Sequence, residues 1–315
     1  PAEHMPPLAD YGGGSGTGGY WLDEPGFPDN FNDALYTCDF TTQHVYVHRL
    51  TPHEGTFNVT QDSFHKIKAI DMDADGNSRI YVSDWKNGGY RYSGPNVGSV
   101  SLITFPGKPA ARFPDLAKAT DADLLRHIVS DSAVCRINTQ RKILKRGAAG
   151  HIDGLARLAA DRSVHLHGRI AALFTLKQLA GESANKTIAR LTLDETIREW
   201  AFRALADRKG QTGSVNPSLF VKALHDKNAR VQLQALIGLA RLGQAHKSLL
   251  KWLRHRSTTR QKITFMRTTK LFRTSPGRHW WKPGRHKSVS MESITSQPGR
   301  SLWPRCRKCT PHYLN

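Results

Sequence analysis

The sequence predicts a multidomain chain in which a β-rich region is followed by an α-helical region and then by an irregular basic tail. Apolar residues alternate at every second position before about residue 107, which is the period of a half-buried β-strand. From about residue 116 they recur three and four positions apart, which is the period of an amphipathic helix. Neither period persists after residue 250. The predicted domains are therefore 1–107, 116–250 and 251–315.

The β region contains short strands separated by turn sequences. In QHVYVHRL, Val45 and Val47 alternate with Tyr46 and His48, as expected for a strand with one buried face. Turn sequences such as TPHEG and DADGN follow at short intervals, a pattern typical of an antiparallel sheet, sandwich, barrel or propeller. The segments predicted as strands are 34–38, 43–50, 56–60, 65–70, 79–85, 89–94 and 98–105.

The helical region contains an internal repeat of paired helices. In each second helix a small residue precedes an aliphatic residue by four positions, so that both lie on one face. Successive copies are offset by 33, 29 and 34 residues, and the pairs are Thr139/Ile143, Ala172/Leu176, Ala201/Leu205 and Ala235/Leu239. The second helices are predicted at 136–147, 168–181, 196–210 and 229–243, and shorter first helices at 121–130, 150–160, 182–192 and 217–226. Paired helices at this period resemble HEAT repeats, so the sequence predicts a HEAT-like α-solenoid.

Charge is distributed unevenly along the chain, whose formal net charge is +20. Residues 1–115 carry 8 basic and 14 acidic side chains, a balance of −6, whereas residues 116–250 carry 22 and 11, a balance of +11. Residues 251–315 carry 16 basic side chains and one acidic side chain, a balance of +15. An argument for nucleic-acid binding from the total charge therefore applies mainly to the tail.

Several classes of protein are disfavoured by composition. Four cysteines are too few and too scattered for a small disulfide-stabilised fold. No apolar run reaches the roughly 18 residues needed to span a bilayer. The N-terminal PAEHMPPLADY lacks the basic start and apolar middle of a signal peptide, and it begins without Met, so we expect a segment upstream.

Three segments of the β region carry a resemblance to a known family. They are DEPGFPDNFNDALYTCD at 23–39, the hairpin D-x-D-x-D-G…IYVSDW at 71–85, and SGPNVGSV at 93–100. Together they resemble the last part of a β-propeller in bacterial exported proteins named as membrane-bound dehydrogenases, which are related to the glucose/sorbosone dehydrogenases. In that family the propeller precedes HEAT-like repeats and often a C-terminal cytochrome c domain, so the resemblance covers about residues 15–250.

The resemblance implies a partial β-propeller and a periplasmic or cell-envelope location. In complete relatives it implies pyrroloquinoline quinone with calcium, and haem c in a further domain. A propeller needs at least four blades of about 40–50 residues, so about 107 residues supply only two. We therefore expect a partial member of the family, with no catalytic, cofactor-binding or metal-binding residue to assign in this chain.

The expected function is an interaction scaffold that binds a protein partner along its helical surface. One alternative is a quinone-dependent sugar or alcohol dehydrogenase whose active site lies in blades outside this chain. Another is nucleic-acid binding by the basic tail, in which Trp280, Trp281 and Trp303 could stack on bases. A frameshift near the codon for residue 250 is a further hypothesis for the tail, because the helical pattern stops there abruptly.

The D-x-D-x-D-G sequence that begins at Asp71 resembles a calcium-binding loop. Its twelfth position is Val82, which cannot supply the bidentate carboxylate that an EF-hand requires. The flanking segments are of strand type, so we predict a β-hairpin in which Asp75-Gly76-Asn77 supplies the positive φ angles of the turn.

Four histidines in the β region could form a metal or proton-transfer site, but no Cys or carboxylate pair stands at ligand spacing beside them. We predict that they are core or solvent-facing residues; they are His44, His48, His53 and His65. We expect Asp84-Trp85 to have a structural role, with the indole packed between propeller blades and the carboxylate accepting N–H groups of a turn.

Two further motifs have the spacing of a known binding site but lack the neighbouring residues or elements that such a site requires. Gly14-x-Gly16-x-x-Gly19 has the spacing of a dinucleotide-binding loop, but no strand precedes it and no helix follows, which predicts a flexible loop. Cys306-x-x-Cys309 has the spacing of a haem attachment site, but residue 310 is Thr where that motif requires His. The pair could be a zinc half-site only if the scattered histidines of the tail supplied two more ligands.

Overall fold

The computed structural model describes residues 7–11, 14–86, 95, 97–108, 112–147 and 150–243. Within them, seven β-strands are followed by eight α-helices, and all belong to one compact unit. The strands are β1 (Gly16–Leu22), β2 (Ala34–Asp39), β3 (His44–His53), β4 (Thr56–Lys66), β5 (Ala69–Ala74), β6 (Ile80–Asp84) and β7 (Ser99–Ile103). The helices are α1 (Asp121–His127), α2 (Ala133–Arg146), α3 (Ile152–Ala160), α4 (Leu166–Ala180), α5 (Asn185–Leu191), α6 (Arg198–Leu205), α7 (Pro217–Ala223) and α8 (Ala229–Arg241). Short 3-10 helices lie at Gly181–Ala184 and Lys209–Gln211.

The strands form two antiparallel sheets, one with the order β1-β2-β3-β4 and one with the order β5-β6-β7. Each consecutive pair is joined by a local connection, as the short spacing of strands and turns predicted. Alternate residues face a shared core, to which Tyr36, Val47, Ile80 and Val82 contribute side chains that are at most 2% exposed. Burial of this apolar surface is the main favourable free energy that holds the sheets together.

The acidic sequence at 71–79 forms the predicted β-hairpin between β5 and β6. Asp75 accepts hydrogen bonds from the backbone N–H groups of Asn77 (2.9 Å) and Arg79 (3.1 Å), as Asp commonly does in turns. The predicted positive φ angles at Asp75-Gly76-Asn77 are wrong, because the left-handed residue of this turn is Ser78 (φ 57°). Gly76 is required for another reason: a Cβ there would overlap the ring of Phe113.

The eight helices coincide with the eight helical segments predicted from sequence, with boundaries that differ by a few residues. All eight repeat positions in the second helices are buried, from Thr139 and Ile143 in α2 to Ala235 and Leu239 in α8. Seven of them, all except Thr139, belong to one apolar core that extends through the helical region. Close packing is tightest at Gly238, where a Cβ would overlap the ring of Phe220.

The predicted fold class, a partial β-propeller followed by a HEAT-like α-solenoid, is wrong. The described residues instead form two open antiparallel sheets of four and three strands, followed by helices of 7 to 15 residues with 3-10 segments between some of them. The two-residue period determines which face of a strand is buried, but it does not determine whether successive sheets are arranged around an axis. The helical period likewise determines the buried face of each helix and leaves the stacking of helix pairs undetermined.

Three local predictions also need correction. The segment 65–70, predicted as one strand, contains the end of β4 and the start of β5. The segment 14–19, predicted as a flexible loop, includes the start of β1, and Gly14 lies against the carboxylate of Asp39. The predicted strand at 89–94 lies outside the described residues. Among the helices that are described, none combines the length and apolarity needed to cross a membrane.

Candidate functional site

Helix α2 begins at a junction with the chain that follows β1. The backbone N–H of Ala133 donates to the carbonyl of Asp23 (2.8 Å), and the N–H of Val134 donates to the Glu24 carboxylate (2.9 Å). Ser132 caps the helix by accepting from the N–H of Cys135 (3.0 Å). These bonds satisfy N–H groups that have no partner inside the helix, and a carboxylate there also interacts favourably with the helix dipole. The β region therefore fixes the position of α2.

A buried ion pair strengthens this junction. Arg136 of α2 pairs with Asp23, and their side chains are 8% and 13% exposed. The Nδ1–H of His167 in α4 donates to the same Asp23 carboxylate at 2.9 Å, and its Nε2 lies 3.8 Å from Asp33. Three elements that are distant in sequence are thus joined at one carboxylate.

The junction changes the protonation of its members. Burial raises the pKa of Asp23, but the hydrogen bonds from His167 and Arg136 and the positive charge of Arg136 outweigh burial, and the pKa lies below its ordinary value. The hydrogen bond to Asp23 raises the pKa of His167. Burial raises the pKa of Glu24, whose Oε2 has no partner among the described residues.

A groove of about 820 Å³, which we call the α2 groove, lies beside this helix. One wall is the face of α2 that carries Asn138, Arg141, Lys142 and Lys145, at positions three and four apart. The other wall is the segment 112–117, which connects the sheets to α1. Its sequence, RFPDLA, contributes four apolar side chains.

The second wall is held by the β5–β6 hairpin and by the helical core. The backbone N–H of Phe113 donates to the side-chain carbonyl of Asn77 (3.0 Å), and its ring covers Gly76. Leu116 packs against the core of the helical region. The turn predicted from D-x-D-x-D-G therefore has a structural role, because it positions one wall of the α2 groove.

The groove is positively charged because its cations are not neutralised. Helix α2 contains five basic residues and no acidic residue, and two of the five are paired: Arg136 with Asp23, and Arg146 with Asp121 at 2.7 Å. The remaining three, Arg141, Lys142 and Lys145, take part in no ion pair within the described residues, and neither does Arg112 on the opposite wall. Three of these four cations are exposed: Arg112, Arg141 and Lys145.

The one acidic residue that lines the groove is Asp115, and it lies 3.5 Å from Lys118. Among the described residues that line the groove there is no Ser, Cys or His, the side chains that most often act as a nucleophile or as a proton-transfer group near neutral pH. An arrangement of clustered cations beside an apolar wall can hold a carboxylate-bearing or phosphate-bearing ligand.

A second, smaller groove of about 580 Å³ lies between the segment around Glu182–Ala189 and the loop before α7. Lys177 lies nearby and is 1% exposed, and its ammonium group donates to Asn185 (2.7 Å) and to the carbonyl of Gly181 (3.3 Å). Burial lowers the pKa of Lys177. These contacts close the C-terminal end of α4, so we assign Lys177 a structural role.

The histidines of the β region are placed separately. His48 is 2% exposed and its Nε2 lies 2.8 Å from the hydroxyl of Thr37, and burial lowers its pKa. His44 is partly buried and stacks on Tyr46, whereas His53 and His65 are exposed. His48 therefore lies in the core, and His53 and His65 face solvent.

The described residues contain no group of three or more His, Cys, Asp or Glu side chains that could hold a metal ion. Asp71 and Asp73 each accept the N–H of the following residue, and Asp75 accepts two N–H groups of its turn. Each of these carboxylates is therefore bound by N–H groups of its own hairpin, and the quinone and calcium that the resemblance implied for complete relatives stay a prediction. Cys306, Cys309, Trp280, Trp281 and Trp303 lie outside the described residues.

Asp84 has the structural role predicted for it. Its carboxylate accepts from the N–H of Lys86 (2.6 Å) and from the hydroxyl of Ser99 (2.6 Å), which ties the end of β6 to the start of β7. Trp85 makes an edge contact with Phe40, with ring centroids 4.8 Å apart, so the indole lies between the two sheets.

No family model and no curated protein matches this chain. The resemblance to membrane-bound dehydrogenases therefore stays a prediction from the residues quoted above. The α2 groove was not predicted from sequence, although the run QRKILKR in α2, with four basic residues and no acidic residue, was the available signal. Its second wall lies between two predicted domains, where no periodic pattern exists.

Proposed function

We propose that this protein is a non-catalytic binding protein that holds an acidic segment of a partner protein in the α2 groove. The observation that carries the proposal is the set of four cations around one groove, none of them in an ion pair within the described residues. Two other arginines of the same helix, Arg136 and Arg146, are neutralised by Asp23 and Asp121, so the groove cations differ from them in having no carboxylate partner. An anionic partner would supply the missing charge.

The alternative of a quinone-dependent dehydrogenase places its active site in blades outside this chain, so it stays a prediction from the resemblance. Nucleic-acid binding by residues 251–315 stays a prediction, because these residues lie outside the described part of the chain. The periplasmic or cell-envelope location also stays a prediction from the resemblance.

The test is binding of a fluorescein-labelled glutamate-rich peptide to the full chain, measured by fluorescence anisotropy at low and at physiological salt. Reversing two groove charges in Arg141→Glu/Lys145→Glu turns attraction into repulsion, and we expect the Kd to rise about tenfold or more at low salt. Higher salt should weaken binding to the unmodified protein because exposed charges are screened.

A matched control separates the groove from general charge. Lys186 and Arg190 are exposed, lie four residues apart on α5, and take part in no ion pair of the described residues, like Arg141 and Lys145 on α2. Lys186→Glu/Arg190→Glu changes the net charge equally and should change the Kd by less than about threefold. Equal losses in the two double variants would show that the peptide binds through net charge, and the proposal would be rejected.

A further inference from the structure

One wall of the α2 groove is basic and the other is mainly apolar, and this difference restricts the sequence of a partner segment that fits between them. Arg141 and Lys145 lie one helical turn apart on α2, about 6 Å along the helix axis at 1.5 Å per residue. In an extended peptide, residues two apart point to the same side and are separated by about 6.6 Å. Carboxylates at positions i and i+2 of an extended segment therefore match the two cations in spacing.

The residue between those two carboxylates points in the opposite direction. In the α2 groove that direction faces the wall formed by Phe113, Pro114, Leu116 and Ala117. This wall presents apolar side chains, apart from Arg112 and from Asp115, which lies beside Lys118. An apolar residue at the central position would bury surface there, whereas a charged one would lose hydration without gaining a partner.

We propose that the α2 groove recognises a short extended segment in which one apolar residue separates two acidic residues, of the type Glu-Phe-Glu. This inference rests on the proposed function. The proposed function requires only that the segment is negatively charged, whereas this inference also requires a particular order of acidic and apolar residues. Charge attracts the segment, and the apolar contact with the second wall determines its register in the groove.

Other occupants fit the groove less well. Residues 251–315 of the chain carry 16 basic residues and one acidic residue, so the groove repels them. Single-stranded nucleic acid would supply negative charge, but binding of this kind depends on aromatic faces that stack on bases. The described residues that line the groove include a single aromatic residue, Phe113, which offers one such face and not a row of them. The acidic β region of a second copy is a third possible occupant, and the experiment below includes it.

The experiment compares three labelled peptides of equal length on the full chain: Gly-Glu-Phe-Glu-Gly, the isomer Gly-Phe-Glu-Glu-Gly, and Gly-Glu-Ala-Glu-Gly. The first two have the same composition and charge, so net charge and the basic tail act equally on both. We expect the first peptide to bind about fivefold or more tightly than the other two, the difference expected for partial burial of one aromatic side chain. The preference should disappear in Arg141→Glu/Lys145→Glu and persist in Lys186→Glu/Arg190→Glu.

Each other outcome has a separate meaning. Equal binding of the three peptides that is still weakened by Arg141→Glu/Lys145→Glu would overturn this inference and leave the proposed function standing. Binding that is unaffected by that variant would overturn both. Tighter binding of an oligothymidylate through Arg141 and Lys145, or a concentration-dependent dimer that the variant abolishes, would replace the peptide with nucleic acid or with a second copy, respectively.

Discussion

Replacing Arg136 by Ala tests whether the buried junction between the β region and α2 stabilises the fold. The change removes a guanidinium group that pairs with Asp23 and donates to the carbonyls of Ser130 (2.6 Å) and Asp131 (3.0 Å). Removing one partner of a buried ion pair typically costs about 3–5 kcal/mol, because the other charge is left buried without compensation. His167 still donates to Asp23 at 2.9 Å, which places the expected loss near the lower limit, at about 3 kcal/mol.

The measurement is the free energy of unfolding from urea titration, followed by circular dichroism and by tryptophan fluorescence. For a folded unit of this size, about 3 kcal/mol corresponds to a fall in Tm of roughly 6–12 °C. The control is Arg126→Ala, since Arg126 pairs with Asp123 at the surface and its side chain is 73% exposed. We expect that control to cost no more than about 1 kcal/mol. If Arg136→Ala cost as little as the control, the junction would not be a stabilising contact and the argument from its burial would be refuted.

Two further predictions concern the hairpin and the junction. Gly76→Ala places a Cβ against the Phe113 ring, so we expect the free energy of unfolding in urea to fall by about 1–3 kcal/mol and peptide binding to weaken. The control is Gly55→Ala in another hairpin, where a Cβ would meet open space and the loss should be less than about 1 kcal/mol. Equal losses in the two variants would contradict the packing argument. The folded-state pKa of His167 is raised by Asp23 and Asp33, so its contribution to stability is complete below about pH 6.5 and is lost as pH rises through the raised value. The free energy of unfolding should therefore fall more between pH 6.5 and 8.5 in the unmodified protein than in His167→Gln, and parallel pH profiles would contradict this assignment.

Much of the local structure could be predicted from the sequence because it depends on short-range chemistry. The repeated spacing of Ala172/Leu176 and its counterparts predicted which positions would be buried, since residues four apart share a helix face. The hairpin at 71–85 was predicted from its strand-type flanks and its Asp-Gly-Asn turn. Strand β1 was missed because its glycines resemble a loop, although their backbone is paired with β2.

The candidate site could not be predicted in the same way. Its two walls are α2 and the segment 112–117, and the second wall has no periodic pattern of its own. The charge run in α2 was visible, but the sequence did not indicate that Arg136 and Arg146 would be neutralised while Arg141 and Lys145 would not. That distinction depends on where Asp23 and Asp121 lie in space.

The sequence by itself determined the β-then-α order, the positions of the helices and the buried face of each one, because period and turn chemistry act over a few residues. Only the tertiary structure decided that the sheets stay open, that Asp23 joins Arg136 and His167, and that Phe113 covers Gly76. These contacts join residues separated by 37 to 144 positions, and their geometry depends on the packing of whole elements, which no local pattern specifies.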